Sequence, residues 1–368
     1  MKKTLLILIL SVYTWDIIHA DVVWNLSDNG TLTISGTEMS NYDVQKAPWY
    51  SQRKNIKNVV IEKGVKNIGN YAFYRCSSLV SVSIPNSVTS IGEYAFIGCC
   101  SLVSVDIPNS VMDIRMCAFS GCSSLTSVII PNSVTYIGNS AFAYCSSLAS
   151  ITIPNSVKGI CGCTFSCCSA LVSVSIPNSV TSIGTDAFSG CSSLISVSIP
   201  NSVKDIEDGA FSSCSSLSSI TIPESVIQIK DGAFYNCSSL VSITLPDSLK
   251  SIGDYAIFSG CSGLTSIKIP DLITGVAEYS FFNCSALTSV TIPDSVRWIG
   301  DEAFGNCTSL MKLTCRAMTP PKLDKDVFND VPCKSATLFV PSSAIPAYQT
   351  ANGWKDWKYI KPIEYTIE

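Results

Sequence analysis

Apolar and polar residues follow one 23-residue pattern that repeats head to tail from about residue 68 to residue 313. In the copy that begins at Leu79, seven apolar positions are expected to point inward: Leu79, Val82, Ile84, Val88, Ile91, Ala95 and Phe96. The stretch 79–84 is rich in β-branched residues and stops before Pro85, which cannot donate a backbone hydrogen bond, so it predicts a strand. A second short extended segment is expected at 87–91, and a turn or a single helical turn at 93–96.

Eleven copies of the pattern can be counted from the phenylalanine that each contains. They are Phe73, Phe96, Phe119, Phe142, Phe165, Phe188, Phe211, Phe234, Phe258, Phe281 and Phe304, with a step of 23 residues everywhere except 24 into Phe258. Self-similarity at this period, with leucine at its centre, is typical of a leucine-rich repeat array. The predicted fold class is therefore an α/β-type repeat solenoid dominated by β structure, with about eleven turns, a parallel sheet on one face and a cap at each end.

A single turn is too small to fold alone. Its seven apolar side chains contribute ~1.5–3 kcal/mol each when buried, against an ordering cost of about 1.5 kcal/mol for each residue. Stacked turns bury both flanks of each copy, so stability must come from neighbours. Glycine follows the last isoleucine in many copies, as at Gly69, Gly92 and Gly184, and a tight bend with positive φ is the expected reason.

Both ends of the chain depart from the pattern and are predicted to form caps. Residues 24–26 and 30–36 are expected to form two strands that are closed at Asp28-Asn29-Gly30, which favours a β-hairpin. After residue 313, a strand, a short helix and a closing aromatic segment are expected. The predicted organisation is a signal peptide at 1–20, an N-terminal cap at 21–67, the repeat solenoid at 68–313 and a C-terminal cap at 314–368.

Residues 1–20 have the features of a secretory signal peptide. Two lysines precede an apolar run shorter than the ~20 residues that span a membrane, and Ala20 suits signal-peptidase cleavage. The protein is therefore expected to be secreted or held at the cell surface, with no transmembrane segment in the mature chain. Cleavage changes the formal charge from −4 to −5 and removes His19, the only histidine.

The absence of histidine from the mature chain narrows the chemistry. Ser-His-Asp, Cys-His and His-ligated zinc mechanisms are excluded, which leaves a carboxylate pair as the main hydrolytic scheme. Nucleic acid is not an expected partner, because no basic stripe carries interleaved aromatic residues. The cations that do cluster precede the first full turn and are interpreted as a solvated end cap: Lys46, Arg53, Lys54, Lys57, Lys63 and Lys66.

One strand position holds serine in ten successive turns and is predicted to face solvent. Its first members are Ser81, Ser104, Ser127, Ser150, Ser173 and Ser196. Small side chains at this position suit a solvated sheet with closely stacked turns. The alternative is a binding face that offers many weak hydrogen bonds to a glycan or an extended protein.

Eleven of the 18 cysteines share one position of the repeat and are expected to be buried, unreactive thiols. Side chains stacked in register point in parallel, which disfavours disulfide bonds. Four cysteines that crowd one turn raise a zinc hypothesis, but their spacing fits no familiar ligand pattern: Cys161, Cys163, Cys167 and Cys168. In the C-terminal cap, Cys315 and Cys333 either form a disulfide or remain free.

Large aromatic residues at otherwise small positions are candidate partner contacts. They are Trp298, Tyr136, Tyr71, Tyr94 and Tyr279. Packing against a neighbouring turn is the alternative. Four carboxylates occupy one position in successive turns, namely Glu224, Asp247, Asp271 and Asp294. They could bind a calcium ion, but the preferred interpretation is that they are spaced apart and solvated. No cofactor is expected.

These motifs together resemble the BspA-like leucine-rich repeat family of bacterial and protozoan surface proteins. The resemblance rests on Ala-Phe-x-x-Cys-Ser-Ser-Leu, as at 72–79, on Ile-Pro-Asn-Ser-Val, as at 84–88, and on both caps. It implies an exported, non-enzymatic, adhesin-like protein that binds host matrix proteins, glycans or other cells, and it carries over no functional residues. A structural spacer is the alternative, and a secreted carboxylate-based hydrolase is less favoured. The oligomeric state stays open.

Overall fold

The computed structural model describes residues 22–364, and these form a coil of about fourteen turns. Strands 23 residues apart pair in parallel and in register, as Ser173 does with Ser196 and Val174 with Val197. The predicted parallel β solenoid is confirmed. There are more turns than the eleven counted from the sequence because parallel pairing continues past the regular repeats, from Thr31–Ser35 at one end to Tyr359–Pro362 at the other.

One side of the coil carries a sheet that we call the long sheet. Its strands are Val23–Leu26, Thr31–Ser35, Asn58–Ile61, Ser81–Ser83, Ser104–Asp106, Ser127–Ile129, Ser150–Thr152, Ser173–Ser175, Ser196–Ser198, Ser219–Thr221, Ser242–Thr244, Ser266–Lys268, Ser289–Ile292, Lys312–Cys315, Thr337–Val340 and Tyr359–Pro362. The first strand pairs antiparallel with the second as a hairpin. Strand pairing is interrupted on both sides of the two strands at 104–106 and 127–129. These two strands therefore form a separate pair within the long sheet.

A second side carries two-residue strands, which we call the short sheet. They are Asn67–Ile68, Ser90–Ile91, Asp113–Ile114, Tyr136–Ile137, Ser182–Ile183, Asp205–Ile206, Gln228–Ile229, Ser251–Ile252, Gly275–Val276, Trp298–Ile299 and Lys322–Leu323. Helical structure is confined to short segments: the 3-10 helices Tyr50–Asn55, Ser342–Ala344 and Trp354–Asp356 and the α-helix Ile345–Thr350. The described part of the chain is therefore dominated by β structure.

Each three-residue strand of the long sheet has one buried residue between two exposed ones, as in Ser81–Ser83, where only the central Val82 is buried. The strands are shorter than the six residues predicted. Leu79 does not join the ladder, because its N–H donates to the carbonyl of Cys76 within the same turn, at 3.0 Å. The outward serine positions are thus set by the inward valine or isoleucine between them.

A column of phenylalanine rings fills the centre of the coil. From Phe73 to Phe304, neighbouring rings lie 4.9 to 5.8 Å apart between centroids and are inclined by 2 to 17°. Trp49 stacks on the first ring, and Phe328 on the last, each at 5.9 Å. Trp354 then meets Phe328 edge-on at 5.3 Å. The column is therefore closed at both ends by aromatic residues outside the regular repeats.

The explanation predicted for the repeated glycines is wrong. Positive φ occurs two residues after Gly69 and Gly92, at Tyr71 and Tyr94, and not at the glycines themselves. A Cβ on Gly92 would lie 2.7 Å from the backbone nitrogen of Asn70 in the preceding turn. Glycine is therefore required there by the close approach of two turns.

The predicted signal peptide lies outside the described residues, and the predicted domain boundaries stay predictions. Within residues 22–364, no helix is long and apolar enough to cross a membrane.

We predict that Phe281→Ala lowers the free energy of unfolding by about 3–5 kcal/mol, because it removes a ring that is 2 % exposed and stacked on both sides. Urea denaturation measures the effect. The matched control is Phe282→Ala, since that neighbouring ring is partly exposed and contacts Tyr279 edge-on. Equal losses for the two variants would contradict the role of the column.

Candidate binding surfaces

The serine positions predicted to face solvent do so and lie together on the long sheet. The residues Ser81, Ser104, Ser127, Ser150, Ser173 and Ser196 are all exposed. Parallel pairing places them in line, as Ser150 with Ser173 and Ser173 with Ser196. The hydroxyl of Ser81 donates to Asn58 Oδ1 at 2.8 Å. The column therefore offers a row of hydroxyl groups along the axis of the coil.

A groove of about 820 Å³ crosses the long sheet where the strand pairing is interrupted. It is lined by Asp106, Ile129 and Thr152, from three successive strands, and by the amides of Asn109 and Asn132. Ile129 is 74 % exposed at a position that neighbouring turns fill with polar residues. The groove thus combines one apolar side chain with carboxylate, hydroxyl and amide groups.

A second groove of about 380 Å³ crosses the same face farther along and is more polar. It includes Thr244 and Lys268, and the Lys268 ammonium pairs with Asp247 at 3.5 Å.

An exposed apolar row also borders the long sheet immediately before the strands: Val80, Val103, Val172, Ile195, Val241 and Met311. This margin of the long sheet therefore carries exposed apolar side chains in six turns.

Two of the predicted aromatic contacts lie together and a third does not. Tyr71 and Tyr94 are half-buried and stack at 4.8 Å with an interplanar angle of 7°. Burial, assisted by the nearby carboxylate of Glu93, raises the pKa of Tyr71. Tyr279 occupies the same position of a distant turn, where it contacts Tyr255 at 5.5 Å. These tyrosines lie on an edge of the coil and not on the long sheet.

Trp298 and Tyr136 lie on the short sheet. Trp298 is 37 % exposed, and its indole covers Gly275 in the preceding turn so closely that a Cβ on Gly275 would lie 2.2 Å from the ring. Packing against the neighbouring turn therefore accounts for much of this side chain. Tyr136 is exposed and lies near the Cys161 thiol.

The cysteine column lies beside the phenylalanine column and is buried. Each thiol from Cys99 onwards donates to the carbonyl of the phenylalanine in the preceding turn, as Cys168 Sγ does to Phe142 O at 3.2 Å. The bond recurs from Cys99, Cys122, Cys145, Cys191, Cys214, Cys237, Cys261, Cys284 and Cys307. Because a thiol is small and a weak donor, it fits this apolar space while satisfying a buried carbonyl.

The cysteines of the zinc hypothesis do not converge on one centre. Cys168 points inward, whereas Cys161 lies near Tyr136 and Cys163 near Ser140. In the C-terminal cap, Cys315 is a free, buried thiol that lies 3.1 Å from the hydroxyl of Tyr348, and Cys333 is also free. Within the described residues, these two cysteines therefore form no disulfide bond.

Carboxylates along the coil bond to the backbone, pair with a lysine or remain solvated. Asp231 Oδ1 accepts the backbone N–H of Asp254 at 2.7 Å, which links two turns. The residues of the predicted calcium row are all exposed: Glu224, Asp247, Asp271 and Asp294. Within residues 22–364, no three His, Cys, Asp or Glu side chains are arranged to hold a metal ion. Neither the zinc nor the calcium alternative gains support.

Three stretches, residues 46–172, 161–258 and 227–350, match the family described as BspA type leucine rich repeat region, with six copies. The chain belongs to the BspA-type leucine-rich repeat family. The resemblance inferred from the motifs is confirmed. The comparison with curated proteins finds no match.

Several solved structures are similar to this BspA-type chain. A leucine-rich repeat protein from Bacteroides ovatus is 27% identical over 95% of this chain and 100% of its own, with a TM-score of 0.58. A leucine rich cell surface protein from Faecalibacterium prausnitzii is 30% identical over 82% of this chain and 96% of its own, with a TM-score of 0.52. A third, from Eubacterium ventriosum, is 22% identical over 94% of both chains, with a TM-score of 0.53, and shows the fold alone.

Two surface features of this BspA-type solenoid were missed from sequence. Ile129 has an evident signal, because it replaces a polar residue at an outward strand position. The pairing of Tyr50 with Tyr74, at 6.3 Å, has none, because Tyr50 precedes the repeats. A contact between a cap and a repeat occurs only once in the chain, so comparing the sequences of successive turns cannot reveal it.

We predict that the protein loses stability as the pH rises above 9. Burial raises the pKa of the Cys168 and Cys307 thiols from the ordinary 9.0 to about 12. Below pH 9 both the folded and unfolded states keep these protons. Between pH 9 and 12 the unfolded thiols ionise while the folded ones do not, so the free energy of unfolding falls by about 1.4 kcal/mol per pH unit for each such thiol.

Urea denaturation at a series of pH values measures this slope. Cys168→Ala is expected to make the slope of unfolding free energy against pH less steep by about 1.4 kcal/mol per pH unit, the contribution of one thiol. Cys100→Ala is the control, because Cys100 is exposed in the folded protein. A slope that Cys168→Ala leaves unchanged would contradict the assignment.

Proposed function

We propose that this protein is exported and acts without catalysis as an adhesin-like binding protein for an extracellular protein or glycan. The signal-like residues 1–20 support export, and a relative in the same family is a cell surface protein. The proposed mode of action is recognition by a rigid surface that the stacked turns hold in place.

The observation that carries the proposal is the groove around Ile129. Burying a side chain of this size contributes ~1.5–3 kcal/mol, and the groove surrounds it with Asp106, Thr152 and asparagine amides that can orient a polar partner. A partner bound there would cross three strands of the long sheet. The exposed serine row continues along the same face, which suits an extended ligand.

We expect residues 21–368 to bind at least one member of an array of matrix proteins, glycans and whole cells in a saturable manner. Ile129→Ser is expected to weaken that binding about tenfold or more. It should leave the urea midpoint unchanged, because the side chain is exposed. Binding isotherms with each array member measure the effect.

The control variant is Ile227→Ser. Ile227 is also exposed, at 39 %, but lies outside the groove. The proposal fails if no array member binds in a saturable manner, as a structural spacer would behave, and the groove assignment fails if both variants weaken binding equally.

A further inference from the structure

Four tyrosines form a continuous aromatic surface at the N-terminal end of the coil, which we call the tyrosine patch. Tyr50 lies 6.3 Å from Tyr74, Tyr74 lies 5.8 Å from Tyr71, and Tyr71 stacks on Tyr94 at 4.8 Å. All four rings are partly exposed. The patch runs from the 3-10 helix Tyr50–Asn55 across the first two regular repeats, parallel to the axis of the coil.

Two arginines lie over the patch. The guanidinium of Arg53 lies 4.1 Å from the centre of the Tyr50 ring, and that of Arg75 lies 5.3 Å from the centre of the Tyr74 ring. Arg53 also donates to the carbonyl of Tyr50 at 3.2 Å. Among the ion pairs found within residues 22–364, none involves Arg53, Arg75 or the neighbouring Lys54. The rings thus orient cations that have no carboxylate partner.

The charge of the chain changes sign between the tyrosine patch and the repeats that follow it. Residues 42–75 contain seven Lys or Arg residues and two carboxylates, whereas residues 93–302 contain seven Lys or Arg residues and sixteen carboxylates. A polyanion is therefore attracted to the N-terminal end and repelled by the repeats that follow. Because charges are screened within ~8–10 Å at ordinary salt, this contrast favours a short binding segment at the patch.

We propose that the tyrosine patch binds a sulfated or carboxylated glycan. Guanidinium groups match the geometry of sulfate and carboxylate oxygens through paired N–H donors. Exposed tyrosine rings offer apolar faces to the C–H surfaces of sugar rings and hydroxyls to their oxygens. Tyr71 and Tyr94 are stacked at 4.8 Å, which leaves no space for a nucleotide base to enter between them.

This surface lies apart from the groove around Ile129 and shares no residue with it. The proposal deepens the proposed extracellular binding function by naming one ligand class, and it rests on export of the protein. A sulfated hexasaccharide prepared from heparin is the probe. Fluorescence anisotropy with residues 21–368 measures its dissociation constant.

We expect the Arg53→Gln/Arg75→Gln double variant to weaken hexasaccharide binding about tenfold or more. Lys158→Gln/Lys204→Gln is the matched control, because it removes the same charge from two exposed positions in the repeats. Tyr74→Leu is expected to weaken binding without changing the charge. Raising the salt from 0.1 to 1 M should also weaken binding, as the Debye length falls from ~10 to ~3 Å.

Equal weakening by both double variants would overturn the proposal, since binding would then follow total charge. It would also be overturned if the wild-type protein failed to bind the hexasaccharide, or if it bound single-stranded DNA of equal charge more tightly. Urea midpoints of all variants verify folding. Ile129→Ser separates the two proposals, because it should leave hexasaccharide binding unchanged whether or not the groove has a partner.

Discussion

Stacking between successive turns is the interaction on which the rest of the structure depends. Each turn returns one phenylalanine ring and one cysteine to the same place, so the ring meets the rings before and after it and the thiol reaches the carbonyl of the preceding turn. Aromatic pairs contribute about 0.5–1.5 kcal/mol beyond the area they bury, and this gain is repeated along the coil. Ala, Phe and Cys keep the same spacing in nearly every copy because their side chains must lie in register.

Both ends of the column need a partner that the repeats cannot supply. Trp49 provides it at the N-terminal end, where its indole N–H also donates to the carbonyl of Ala72 at 2.7 Å. Trp354 provides it at the C-terminal end and donates to the carbonyl of Pro321 at 2.8 Å. The caps therefore close the apolar column and satisfy backbone carbonyls with the same side chains. Lys361 and Pro362 on the last strand discourage another chain from extending the sheet.

The inward and outward positions of each turn are under different constraints. Inward residues must fit identical neighbours, whereas many outward positions, such as those of Ile129, Trp298 and Arg75, hold different residues in different turns. A single buried architecture can therefore hold different surfaces along its length. In this chain they include a groove with one exposed isoleucine on the long sheet and an aromatic, cationic patch at the N-terminal end.

The repeated part of the structure could be predicted from the sequence, because a position that is buried or exposed in one copy is buried or exposed in the others. The inward Val82 and Phe96, the exposed serine row and the buried cysteines follow from position in the repeat alone. Features that depend on how two turns approach each other could not be predicted. The steric reason for Gly92, the interrupted pairing around the groove and the contact between Tyr50 and Tyr74 all require the distance between turns, which no single copy encodes.

The central claim is that each turn is stabilised by its contacts with the neighbouring turns. Hydrogen exchange in a Trp49→Ala variant tests this claim most directly. Loss of the ring that covers Phe73 should increase exchange in the first turns, within residues 58–105, and leave residues 173–290 protected, because each turn contacts only its neighbours. Increased exchange throughout the coil, or no change near Phe73, would contradict the account.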